Sequence, residues 1–245
     1  MIVAVTFAMR AEFEPWRRLR SFCQFADGHV RTFGTRVGDV RLRVVVTGVG
    51  ERAAIAAAEA IFQDRPDVCV ASGLAGALHD GLQVAEIIAS DRVCDDDGHS
   101  VGSDPRLFAL AARGGARSVT MYSSPTVVVR AAEKRRVRAV ADAVDMESAA
   151  ILGESSRLGI PCIAIRAISD RSTVDLPLDL NQTLTEQGLF SPVRVVAALV
   201  KRPQAVPQLV RLGLDARRAT MALTAFLDSY IEQLGASSTI AQQTK

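Results

Sequence analysis

At 245 residues and 49% hydrophobic content, the chain can fill one core and falls short of several ordinary domains. A net charge of +2 with 23% charged residues gives no compositional case for nucleic-acid binding. No apolar run approaches the about 18 residues that a membrane span needs.

In chain order, residues 2–7 (IVAVTF) read as a buried first strand whose C-terminal end leads to Glu12. The stretch to residue 41 is irregular, with Gly28, Gly34 and Gly38 marking hairpins. Residues 41–47 read as a strand, Gly48-Val49-Gly50 as a tight turn and 52–64 as an alanine-rich helix stopped by Pro66. Residues 68–72 form the next strand, with Gly73-Leu74-Ala75-Gly76 as a loop at its tip. This rhythm predicts a parallel strand pair joined by a right-handed crossover. A strand follows over 84–89, then an acidic turn at Asp95, Asp96 and Asp97, whose plain reading is a solvated loop. Asp104 and Pro105 open a helix through Arg113, short strands occupy 118–122 and 126–129, and 131–141 is a basic helix.

The chain is organised around residues 143–171. Here a strand end precedes a helix opened by Asp145 and Glu147, with Met146 between them, where carboxylates meet the positive end of the helix dipole. Gly159 and Pro161 stop the helix. Residues 162–168 are apolar except for Arg166, as in a strand covered on both faces, and its tip delivers Ser169 and Asp170. Ligands in open α/β sheets bind beyond the carboxyl ends of strands, so Glu12, Glu147 and Asp170 are expected to face one crevice.

Beyond Arg171 a loop begins at Leu176-Pro177, and from Ser191 the chain is helical, divided by prolines 192, 203 and 207. Between residues 188 and 227 six cations stand against Asp215 alone, interleaved with apolar residues, as in an interfacial helix. The competing reading is that these helices cover the sheet and make a dimer contact. Residues 235–245 are expected to be a disordered tail.

Gly48-x-Gly50-x-x-Ala53 partly matches a dinucleotide fingerprint, but the next strand tip lacks the acid that would hold a ribose. Packing, or an anion or sugar at the helix start, is the better use of that turn. No serine or cysteine sits in a nucleophile elbow, only His29, His79 and His99 supply imidazole, and no spacing suggests a metal site. The four cysteines, Cys23, Cys69, Cys94 and Cys162, are far apart and are expected as reduced, buried thiols. The chain enters its first strand without a basic segment or cleavage site, so a cytoplasmic protein without a signal peptide is expected. The chemistry left is acid–base work by strand-tip carboxylates.

Four segments in order carry a resemblance: Ala8-Met9-x-x-Glu12; Gly48-Val49-Gly50; Gly73-Leu74-Ala75-Gly76; and Val144-Asp145-Met146-Glu147 with Ala167-Ile168-Ser169-Asp170. Together they resemble the nucleoside phosphorylase and nucleosidase superfamily, the group of purine nucleoside phosphorylase and methylthioadenosine/S-adenosylhomocysteine nucleosidase. The expected fold is one three-layer α/β/α domain over 1–234 with a mixed, largely parallel twisted central sheet, and the resemblance implies a homodimer or higher oligomer. It implies that Glu12 activates an attacking water, that Met146 and Glu147 hold the ribose, and that Asp170 protonates or hydrogen-bonds the purine at N7. Gly73, Leu74, Ala75, Val127, Val128 and Ser169 complete the implied substrate site, with no cofactor or metal.

Two departures stand out: Leu74 replaces a serine or threonine of the family, and Arg10 stands where nucleosidases have an acid. Arg43, Arg52 and Arg92 are candidate phosphate ligands, so phosphate and water are both open as acceptor. The AVDMES segment, the Leu176-Pro177 loop and the KRPQAVPQLVRLGLDARRA tail resemble, more narrowly, the hopanoid-associated phosphorylase branch. That branch is implied to release adenine from adenosylhopane, and a lipid-bearing substrate would give residues 188–218 a reason to touch membrane. A methylthioadenosine/S-adenosylhomocysteine nucleosidase and a non-catalytic nucleoside-binding module are the alternatives.

Overall fold

The computed structural model describes residues 1–25, 30–185 and 188–243, with backbone alone for 238–243; Gly28 and His29 lie outside the described residues. In chain order the elements are β1 (Ile2–Phe7), α1 (Arg10–Leu19), β2 (Cys23–Phe25), β3 (Arg31–Val37), β4 (Val40–Val46), α2 (Glu51–Ala56), α3 (Ala58–Phe62), β5 (Val68–Ala77), β6 (Ile87–Cys94), β7 (Ser100–Gly102), α4 (Pro105–Arg113), β8 (Arg117–Ser123), α5 (Ala131–Val137), β9 (Ala143–Asp145), α6 (Ser148–Arg157), β10 (Cys162–Asp170), α7 (Pro192–Lys201) and α8 (Val206–Gln243). Short 3₁₀ turns lie at Leu180–Thr183 and Pro203–Ala205.

Alternation along β1 explains the layers. Val3, Val5 and Phe7 enter one buried cluster with Phe13 and Trp16 of α1, Leu107 and Leu110 of α4, and Leu223, Leu227 and Tyr230 of α8. Ala4, one residue out of phase, enters a second cluster with Ala54, Ile61, Ile151 and Leu152 from α2, α3 and α6. A strand apolar on both faces requires cover on both sides, and the result is the expected three-layer α/β/α fold. Trp16 also donates to Asp228 at 2.9 Å, tying α1 to α8.

The sheet is mixed. β1 pairs in parallel with both β4 and β5, so the predicted crossover joins strands that flank β1 and do not touch each other. β5 continues in parallel onto β10, then β6, β8 and β9 follow, and β9 returns antiparallel to the end of β5. Strands β5, β10, β6, β8 and β9 therefore close a ring, and half the pairings among the described residues are antiparallel.

Several expectations need correction. Gly73-Leu74-Ala75-Gly76 is strand, since β10 pairs with β5 through this segment, Arg166 opposite Gly73 and Asp170 opposite Gly76. Gly38, at φ 55°, does turn the β3–β4 hairpin, but Gly34 lies inside β3. The helix expected over 52–64 breaks at Ala57 into α2 and α3, and the strand expected over 84–89 is β6, starting at Ile87. Residues 126–129 are extended loop, held where Asn181 bonds both the Val127 N–H and its carbonyl. The basic helix ends at Val137, short of residue 141. α8 runs to Gln243, through residues expected as a tail; no proline or glycine follows Gly235 to stop it. Cys69 and Cys162 are buried, but Cys23 is exposed and Cys94 half-buried.

Candidate active site

The carboxyl ends of β1, β5 and β10 and the start of α6 surround one cavity of about 250 Å³. Glu12, Leu74, Ala75, Val127, Val128, Met146, Glu147, Ser169 and Asp170 all line it. Gly73 alone of the expected substrate residues does not, because it lies behind the wall against Arg166.

Glu12 sits in the first turn of α1 with its side chain folded back on the chain. One oxygen accepts from the Met9 N–H at 3.0 Å and the other from the Leu74 N–H at 3.3 Å. The residue is 3% exposed. Burial pushes its carboxyl above the usual range, against the opposing pull of the Met9 N–H and Arg166. Glu147 is held by the glycine turn. Gly50, at φ 94°, turns its N–H to the carboxylate at 2.7 Å, a backbone shape that favours glycine. That contact is the use of Gly48-Val49-Gly50 here: the turn holds a carboxylate. Burial pushes Glu147 up to about 7; Arg166 opposes the shift, and Asp145 and Glu12 reinforce it.

Arg166 is the hub behind this wall. It is 1% exposed, and its guanidinium meets Asp145 at 2.6 Å, Glu147 at 3.6 Å, the Ser72 carbonyl at 3.0 Å and Ser148 Oγ at 3.0 Å. A buried charge needs such pairing. Gly73, at φ 147°, leaves room for it, since a Cβ there would lie 2.3 Å from Nη1. Asp145 also accepts from the Ser148 N–H at 3.2 Å, but α6 starts at Ser148 with Glu147 as its N-cap, so Glu147 precedes the first turn expected to hold it.

At the far side Asp170 accepts from Ser169 Oγ at 2.7 Å and from the ammonium of Lys134, which also donates to the Arg171 carbonyl at 2.7 Å. Lys134 is fully buried and lines the cavity. Sequence reasoning missed it because Lys134-Arg135-Arg136 reads as a solvated basic face. The available signal was its i, i+3 phase with Ala131, which puts both on the inner side of α5. Arg166 had a plainer signal, as the single charge in an apolar strand.

Four carboxylates, Glu12, Asp145, Glu147 and Asp170, thus line a cavity whose one lining cation among the described residues is Lys134. Arg43 is occupied by Asp64 at 3.1 Å and Gln63 at 2.7 Å, and neither it nor Arg52 nor Arg92 lines the cavity. Arg10 pairs with Glu14 at 3.6 Å, and His79 faces Asp142 at 3.4 Å, both away from the cavity. Apart from Thr126 the remaining walls are apolar: Met9, Val49, Val144, Leu176, Leu180, Phe190, Leu212 and Ala216. Phe190 is set by a short bridge with Leu184, and the neighbouring Gly188 carbonyl accepts from the Val49 N–H at 2.8 Å. Mostly apolar walls with a few convergent charged groups are the usual form of a small-molecule site.

A family model described as the phosphorylase superfamily matches residues 3–118 and 111–201. The 5'-methylthioadenosine/S-adenosylhomocysteine nucleosidase of Shewanella halifaxensis is 26% identical over 185 residues, 64% of this chain and 80% of that protein. Among solved structures, that nucleosidase from Campylobacter jejuni superposes with a TM-score of 0.75 at 17% identity, over 95% of this chain and 99% of that one. The futalosine hydrolase of Helicobacter pylori gives 0.75 at 16%, over 95% and 98%. These superpositions establish a shared fold.

Proposed function

This chain belongs to the phosphorylase superfamily, and from that premise we propose that it is an enzyme cleaving the N-glycosidic bond of an adenine nucleoside with release of adenine. The observation that carries the reading is the convergence of Glu12, Glu147 and Asp170 on one cavity from three separate elements. Breaking C1′–N9 sends its electron pair into the purine and leaves an oxocarbenium-like sugar, so the base needs a proton and the sugar needs nearby negative charge. In this reading Asp170 hydrogen-bonds N7 and passes it a proton drawn from the Lys134 ammonium. Glu147 accepts from the ribose hydroxyls beside Met146. Glu12 takes a proton from water as its oxygen bonds to C1′.

Water is the proposed acceptor. Phosphate needs free cations, and the lining supplies four carboxylates against one ammonium already bonded to Asp170. The finer proposal for the substrate is adenosylhopane, as in the hopanoid-associated branch. In its favour, an apolar cavity of about 600 Å³ between α1 and α8 shares Met9, Glu12, Leu74 and Ala216 with the first. The second reading is 5′-methylthioadenosine or S-adenosylhomocysteine, favoured by the named activity of the relatives. The discriminating test is adenine release from each nucleoside by wild type and by Asp170→Asn. Release from adenosylhopane alone supports the finer proposal and release from the thionucleosides the second. No release from any, with binding retained, would make the chain a binding module.

A further inference from the structure

Helix α7 has no buried residue. Val195, Ala198 and Leu199 form its half-buried side, so Val193, Val196 and Val200, which are 77%, 58% and 77% exposed, make a second apolar face turned to solvent. Their i, i+3, i+7 spacing puts them on one stripe, with Arg194 and Lys201 along its flank. The start of α8 repeats the device: Val206, Val210 and Leu214 are exposed at i, i+4 and i+8, with Arg211 and Arg218 alongside. Leu214, Arg211 and Arg218 also line a surface cavity of about 350 Å³ with Arg171, where Asp215 is the one carboxylate facing three guanidiniums. From residue 188 to 214 the chain contains no acid at all.

We propose that α7 and the first turns of α8 form a surface that docks on an anionic lipid bilayer, valines in the acyl boundary and arginines on headgroup phosphates. Charge selects this occupant over a second copy of the chain. A two-fold contact would set these cations against the same cations, with Asp215 as the one acid of the patch and already paired with Arg218 at 3.6 Å, whereas anionic headgroups neutralise them. The contact is peripheral, since no helix among the described residues is long and apolar enough to cross a membrane. The surface borders the candidate active site, because Phe190 precedes α7 and Leu212 lies on α8, and both line that cavity.

The test floats the full chain with vesicles of phosphatidylcholine alone and with phosphatidylglycerol added, at low and high salt. The expected result is binding to the anionic vesicles only, weakened by salt. Each basic contact contributes about a fivefold factor, so Arg211→Glu with Arg218→Glu should cut partitioning by about 25-fold or more. Replacing Val193, Val196 and Val200 together by Ser should do the same. Both variants should keep the wild-type melting temperature, which separates lost docking from lost folding. Absence of binding, equal binding to neutral vesicles, or variants that bind as wild type would overturn the proposal. So would a dimer that the serine variant splits while vesicles are ignored, or inorganic phosphate binding at the arginines without vesicle binding. None of these readings requires the enzyme activity to be as proposed.

Discussion

Lys134 and Asp170 make the most exposed commitment at the residue scale. If the pair supplies the proton that the departing base takes, Asp170→Asn should lower kcat for adenine release by about 10²–10⁴-fold. Lys134→Met should lower kcat in the same range with KM for the nucleoside little changed, and should move the pH profile of kcat; a KM effect alone would make Lys134 a packing residue. Glu147 makes a different prediction. Its carboxyl, pushed up to about 7 by burial, binds a proton in the folded chain at pH values where the unfolded chain, near 4.5, has lost it. Stability supplied by the protonated form is complete below about 4.5 and is lost as pH rises through about 7. The ligand-free melting temperature should therefore fall between pH 5 and 8, and Glu147→Gln should flatten that fall. The acids were legible in the sequence because each sits at a strand tip or helix start, where local pattern fixes position. Arg166 and Lys134 were not read as site residues, because their roles depend on strands and helices far apart in the chain.

At the scale of elements, β5 and β10 carry the site. Their pairing places Gly73 opposite Arg166, and only a residue without Cβ lets the guanidinium reach Asp145 and Glu147 from there. Gly73→Ala should destabilise the fold by about 1–3 kcal/mol through overpacking, read as a lower denaturation midpoint with an unchanged slope. The same pairing makes 73–76 strand, although its small residues have the composition of a turn. Small, flexible residues usually mark turns, but here they let backbone and buried charge approach closely inside a strand. Residues 126–129 erred the other way. A Val-rich run has strand propensity, yet among the described residues it pairs with no strand, and Asn181 holds it in the cavity wall.

For the whole molecule, the alternation of β1 and the strand–helix rhythm made the three-layer class legible, while ring closure by β9 and the flanking of β1 by β4 and β5 were not. Both depend on which distant edges meet, and no local period records that. The proposed release of adenine is hydrolytic, in a cavity lined by four carboxylates. The most direct measurement supplies a susceptible nucleoside with and without inorganic phosphate and identifies the sugar product. Free sugar and adenine in equal amounts, at a rate indifferent to phosphate and lost in Glu12→Gln, is the predicted result. A sugar 1-phosphate formed only when phosphate is present would contradict it.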